Sequence, residues 1–172
     1  MDQNEIVAHL EIRQALFRYC RGVDRSDADL IKSAFHPDAT DAHGAFKGLG
    51  WEMADRLASA EGGMPRVGSH LVTNIYIEFD DADHARCESY VLAFHPHQDT
   101  GTPQLGMFAG RYLDRFERRD GEWRIAERLV VNDWSRNHLE GAHWPRGSSQ
   151  EGGFPPGHKD RQDVAYELFP LP

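Results

Sequence analysis

Two hydrophobic rhythms divide this chain. Before about residue 60 the apolar positions recur every three or four residues, and from residue 69 they recur at every second one. Ile12, Leu16, Tyr19 and Val23 form one helical face, which predicts a helix from Ile6 to Cys20 with Gly22 as its stop. The stretch "SDADLIKSAF" predicts a second helix. Ser26 fits its N-cap, Asp29 stands three residues on in capping-box position, and Asp27 lies in the first turn, where the helix dipole favours an anion. "HPDAT", at 36 to 40, ends that helix because His36 precedes a proline. A short strand is expected before Lys47, then a third helix from Trp51 to Ala60, broken by "EGGMP".

"HLVTNIYIEF" opens the second rhythm and is rich in β-branched and aromatic residues. "DDAD" reads as a turn, "ARCESYVLAFH" and "QLGMFAGRYLDRFERR" as strands, and "DG" as a hairpin signal that returns through "EWRIAERLVVNDW". Strict alternation puts His70, Val72, Asn74 and Tyr76 on one face, with Leu71, Ile75, Ile77 and Phe79 on the other. In the last strand it groups Arg128 with Ala126, Val130, Asn132 and Trp134, opposite Ile125, Leu129 and Val131. Helices followed by a meander of long strands predict an α+β fold with an antiparallel sheet, one face covered by the helices. Beyond Trp134 the text turns to Gly, Pro and Ser without usable period. The expected division is a domain over 1–140 and an extended C-terminal tail over 141–172, anchored on the domain or a neighbouring subunit by "VAYELF".

Composition narrows the function without naming it. The 172 residues are 40% hydrophobic and 27% charged, enough for one globular domain with a real core. A formal net charge of −9 argues against a nucleic-acid partner, which would demand a basic face. No early signal segment or membrane-length apolar run is present, so a cytoplasmic chain without a membrane partner is expected. Cys20 and Cys87 fall inside a predicted helix and strand and read as buried free thiols. Histidine is abundant, and "HPH" at 95 to 97 invites a zinc reading, but no third ligand stands at a suitable spacing. Neither a metal nor an organic cofactor is therefore expected. "GLG" at 48 to 50 lacks the strand and helix context of a nucleotide loop.

Asp24, Asp27 and Asp29 crowd the start of the second helix, and only the latter two have a structural use there. Asp24 precedes the cap and follows apolar Val23, so it is a solvated loop acid, a C-terminal turn residue or one half of a functional pair. The candidate for the other half is His70, at the head of the first long strand. On its own that residue reads first as an ordinary surface or satisfied histidine.

The succession of "GVD" after a helix, "HPDA", "SHLVTNIYIEF" and "GRYLDRFERRDGEWRIAERLVVND" resembles the SnoaL-like group of the nuclear-transport-factor-two-like superfamily, from about residue 5 to 135. The resemblance implies a cone-shaped α+β barrel, with a curved antiparallel sheet wrapped over the N-terminal helices around a deep pocket. In its dehydrochlorinase and bile-acid dehydratase branches, an aspartate after the first helix orients a strand histidine, and Asp24 and His70 fall at those places. The implied activity is cofactor-independent β-elimination, with imidazole taking a proton from a small hydrophobic cyclic substrate such as a steroid or aromatic polyketide. Isomerisation or cyclisation through the same pair stays open. So does a non-catalytic role, as a ligand binder or the support subunit of an oxygenase. By the same resemblance Tyr19 and Arg128 stabilise a leaving or enolate oxygen, with Phe108 and Trp134 expected to contact the substrate. The chain departs from the bile-acid branch at Ala93, near where that branch has an acid and where Glu88 is the nearest carboxylate. Scytalone dehydratase has a second histidine in that strand, and His95 stands late for that role. The look-alikes also imply a homo-oligomer, a trimer before a dimer, joined through outer-face residues such as Met107, Arg111 and Leu113.

Overall fold

The computed structural model describes residues 2–59, 68–97, 104–139 and 162. The breaker at 61–65, the "VAYELF" anchor and all of the expected tail except Gln162 lie outside the described residues. Helix α1 spans Gln3–Arg25 and opens on a capping box, in which Asp2 accepts from the Glu5 N–H at 2.9 Å and Glu5 accepts from the Asp2 N–H at 3.3 Å. Its buried stripe comprises Ala8, Ile12, Ala15, Leu16, Tyr19 and Val23.

Gly22 does not stop α1, contrary to the sequence expectation. A Cβ there would lie 2.6 Å from Ile31 Cγ1, so the missing side chain lets the next helix pack closely. The stop is Ser26, held in the left-handed region at φ 51° with its N–H bonded back to the Gly22 and Val23 carbonyls. Because Ser26 is occupied in closing α1, it cannot cap α2 (Ala28–Lys32). Asp27 takes that place, accepting from the Leu30 N–H at 2.9 Å, and Asp29 sits in the first turn. This one-residue shift leaves Asp24 in the last turn of α1, the C-terminal turn position that the sequence allowed.

Strands β1 (Phe35–His43) and β2 (Phe46–Leu49) lead into helix α3 (Gly50–Ala58), and β3 (Ser69–Phe79), β4 (His84–His97), β5 (Gln104–Arg119) and β6 (Glu122–Leu139) follow. They form one sheet in the order β2-β1-β6-β5-β4-β3. The sheet is mixed where a wholly antiparallel one was expected. β1 joins the edge of β6 in parallel, which the long crossover through α3 and β3 to β5 permits. The result is a cone-like α+β fold, with the buried stripe of α1 meeting Ile31, Phe35, Phe116 and Ile125 in one core.

Bulges decide which side chains face that core. In β3 the register slips between Thr73 and Tyr76, with Asn74 at φ 46°, so His70 and Val72 share the inner face with Ile75, Ile77 and Phe79 while Tyr76 turns outward. In β6 the register with β5 slips at Ala126, turning both Ile125 and Arg128 inward, and again at Asp133. The second slip pairs Asn132 with Gly110 but Trp134 with Ala109, which puts Trp134 on the outer face, 52% exposed. The expectation that Trp134 contacts a substrate inside the cone is thereby corrected.

Candidate functional site

Asp24 and His70 meet. The Nδ1–H of His70 donates to Asp24 Oδ1 at 2.7 Å, and the His70 backbone N–H donates to Asp24 Oδ2 at 3.1 Å. The side chains keep 18% and 9% of their exposure, so the pair is shielded without being sealed. A carboxylate in the last turn of a helix sits against the macrodipole, and two donors from one residue compensate for that position. With the proton held on Nδ1, the lone pair of the neutral ring lies on Nε2. Ala93 pairs with His70 across β3 and β4, and two residues further along β4 the ring of His95 stands 5.0 Å from that of His70, edge to face. His95 is thus beside His70, not too far along the strand as the sequence suggested. Glu88 turns outward instead and accepts from Arg111 Nη1 at 3.3 Å.

Tyr19 and Arg128 form a second cluster. Arg128 Nε and Nη2 each donate to an oxygen of Asp114 at 2.8 Å, with both side chains fully enclosed. The guanidinium carbon lies 4.2 Å from the Tyr19 ring centre and 4.1 Å from that of Tyr112, with Phe35 at 5.4 Å. Burial works against the Arg128 charge, but the Asp114 carboxylate outweighs it and holds the guanidinium protonated well above its ordinary range. Burial in turn pushes Asp114 up, opposed by Arg128. The two-oxygen fork requires an ionised carboxylate facing an ionised guanidinium, and that is the state consistent with the geometry. Burial also raises the Tyr19 phenol, again against the pull of Arg128. Phe108 is partly buried on the same inner face, and any side chain at Gly110 would collide with its ring and with the Val131 carbonyl.

Asp114 and Asp41 escaped the sequence reading. Asp114 stands between Tyr112 and Phe116 in the inward set of β5, so its alternation was legible, but its partner was not. Asp41, 1% exposed in β1, pairs by register with Arg128. Cys20 links the two clusters on α1. Burial pushes its thiol up to about 12, and the charges of Arg128, Asp24 and Asp114 all reach it. Both cysteines are free and buried. Among the described residues no three His, Cys, Asp or Glu side chains converge as a metal site would require, and no helix is long and apolar enough to cross a membrane. The His97 side chain lies outside the described set.

The profile of the SnoaL-like domain family matches residues 4–129. Among solved structures, a type-2 hexachlorocyclohexane dehydrochlorinase superposes with a TM-score of 0.74 at 25% identity, covering 84% of this chain and 97% of that one. The type-3 enzyme from Novosphingobium barchaimii LL02 gives 0.71 at 22%, with 80% and 94% covered. A protein named as a candidate scytalone dehydratase from Novosphingobium aromaticivorans DSM 12444 gives 0.70 at 23%, with 80% and 92% covered. No curated protein matches the sequence.

Proposed function

The chain belongs to the SnoaL-like domain family, and on that premise we propose that it is a lyase acting by β-elimination on a small hydrophobic cyclic substrate. The observation that carries this reading is the two-point grip of Asp24 on His70, which fixes ring orientation and tautomer together. His70 Nε2 takes a proton from a carbon of the substrate. The electron pair left behind forms the double bond, and the leaving group departs from the neighbouring carbon with its own pair. Asp24 stabilises the imidazolium that forms. Arg128 and Tyr19 stabilise the developing negative charge, and Phe108 forms part of the apolar wall. None of these steps calls on a metal or an organic cofactor.

The ring of His95 beside His70 favours loss of an oxygen substituent over loss of a halide. A departing hydroxyl needs a proton and a halide does not, and a second imidazole can deliver one. A dehydratase is therefore the preferred form of the reading, with substrates of the hydroxylated steroid or phenolic polyketide kind. A screen of such compounds for loss of water, repeated after exhaustive chelation, tests it. Turnover that survives chelation and disappears in His70→Ala is expected. Unchanged turnover in that variant removes the dyad mechanism, and loss on chelation restored by zinc replaces it with a metal site.

Assembly belongs to the same reading. The outer sheet face exposes Leu71, Tyr90, Leu92, Leu129 and Trp134 beside half-buried Met107, Arg111 and Leu113, a surface with apolar side chains suited to a second copy. A homo-oligomer, a trimer before a dimer, is expected. Light scattering at micromolar concentration giving the monomer mass would remove it.

A further inference from the structure

Among the described residues, three polar groups on the inner face are buried without a hydrogen-bond partner: the Asp41 carboxyl through both its oxygens, the Nη1 of Arg128 and the Oγ of Ser89. Interior polar atoms are nearly always paired, and an acid with neither oxygen satisfied is the costliest exception. Asp41 is not a stray surface acid. It is 1% exposed, its backbone registers with Arg128, and its charge is felt by Tyr19 and Asp114. Arg128 does not satisfy it: Asp114 holds Nε and Nη2, the rings of Tyr19 and Tyr112 clamp the guanidinium between them, and the remaining Nη1 makes no hydrogen bond to either Asp41 oxygen. The nearest basic atom with which it forms an ion pair is His43 Nδ1, 3.8 Å from Oδ2 and beyond hydrogen-bonding reach.

From this we propose that Asp41 is a specificity-determining residue. Its carboxyl group accepts a hydrogen bond from a hydroxyl of the substrate, a hydroxyl distinct from the leaving group, while Arg128 Nη1 donates to the same oxygen. One hydroxyl satisfies an acceptor and a donor at once, which an ether, a halide or a bare ring cannot do. The proposal rests on the elimination reading only in assigning the cone interior to the substrate, and it adds to that reading a requirement for a second oxygen. Function also explains the cost: a site held unsatisfied until its guest arrives is less stable than the same fold with the acid removed.

Binding alone tests this without any turnover. The probes are 2-naphthol and 2-methoxynaphthalene, the same ring system with the donor present and capped, titrated calorimetrically into wild type, Asp41→Asn and Asp41→Leu. Wild type is expected to bind the naphthol about tenfold or more tightly than the ether, as a bond to an acid group allows. Asp41→Leu is expected to bring the ratio near one while retaining the ether. The thermal midpoints of the ligand-free variants should equal or exceed that of wild type, whereas an acid retained for the fold would lower both. Absence of hydroxyl preference in wild type, or a preference unchanged in Asp41→Leu, overturns the proposal. If Asp41→Leu does not fold, Asp41→Ala, which also removes both acceptor oxygens, decides the matter by the same ratio. Hydroxyl preference in a protein that eliminates nothing would leave this subsite standing and sink the lyase reading. Elimination without the preference would do the reverse.

Discussion

Two acid–base pairs occupy the interior of this cone, and they are built for opposite purposes. Asp24 and His70 come from the end of α1 and the start of β3, keep some exposure, and leave one ring nitrogen uncommitted. Arg128 and Asp114 come from facing strands, are fully enclosed, and lock together through two bonds of 2.8 Å inside an aromatic clamp. The first pair can exchange a proton, because its imidazole keeps one ring nitrogen open. The second cannot, because a guanidinium keeps its proton and a buried carboxylate beside it keeps its charge. Residue type and burial together separate the open pair from the fixed one.

Breaking each pair should therefore read out on a different axis. The largest effect is expected from His70→Ala on an accepted substrate: turnover should fall by at least about 10²–10⁴-fold, the range of general-base loss, with the folded baseline retained. Steady-state rates and circular dichroism on the same preparation check both halves. Asp114→Ala should do the converse, stranding a buried cation at a cost of about 3–5 kcal/mol in denaturant unfolding. A double replacement, Asp114→Leu with Arg128→Met, should recover most of that stability while leaving the charge-stabilising role empty. Asp24→Asn should lower kcat with little change in KM, since it alters the tautomer and charge around His70 more than the shape of the site.

Smaller effects sharpen the contrast at its edges. Trp134→Ala should leave turnover unchanged and shift monomer stability by no more than about 0.5 kcal/mol, as befits an exposed outer-face residue. A large loss of activity without a change of oligomeric state would return Trp134 to the interior. Burial raises the thiols of Cys20 and Cys87 to about 12, above their ordinary value. Thiolate is then scarce at pH 8, so a disulfide reagent should label neither native cysteine and both after denaturation. Rapid native labelling of Cys20 would mean that the region between the two pairs opens to solvent.

Periodicity alone revealed the long elements, but not the short strands β1 and β2. The three- and four-residue spacing of Ile12, Leu16, Tyr19 and Val23, the alternation of the long strands and the "DG" turn are local signals, and local geometry obeys them: Asp120 and Gly121 take φ of 53° and 84°, as a tight hairpin turn demands. Asp24 and His70 were legible for another reason, since their places matched a family pattern, and their contact across the fold could not have been derived from spacing. Faces were not legible. Counting back from the "DG" turn pairs Arg119 with Glu122 and Phe116 with Ile125, and unbroken counting would set Asp114 against Glu127, two like charges. The bulge at Ala126 moves Asp114 onto Arg128 and makes a buried ion pair out of a repulsion. Bulges at Asn74 and Asp133 likewise sent Tyr76 and Trp134 outward. A strand alternates with period two, so a single inserted residue inverts every side chain beyond it. Such an insertion leaves hardly a trace in hydrophobic pattern, because what favours it is the packing of side chains from other strands and helices. Sequence thus determined which long segments are strands, and only the assembled sheet decided which of their residues meet.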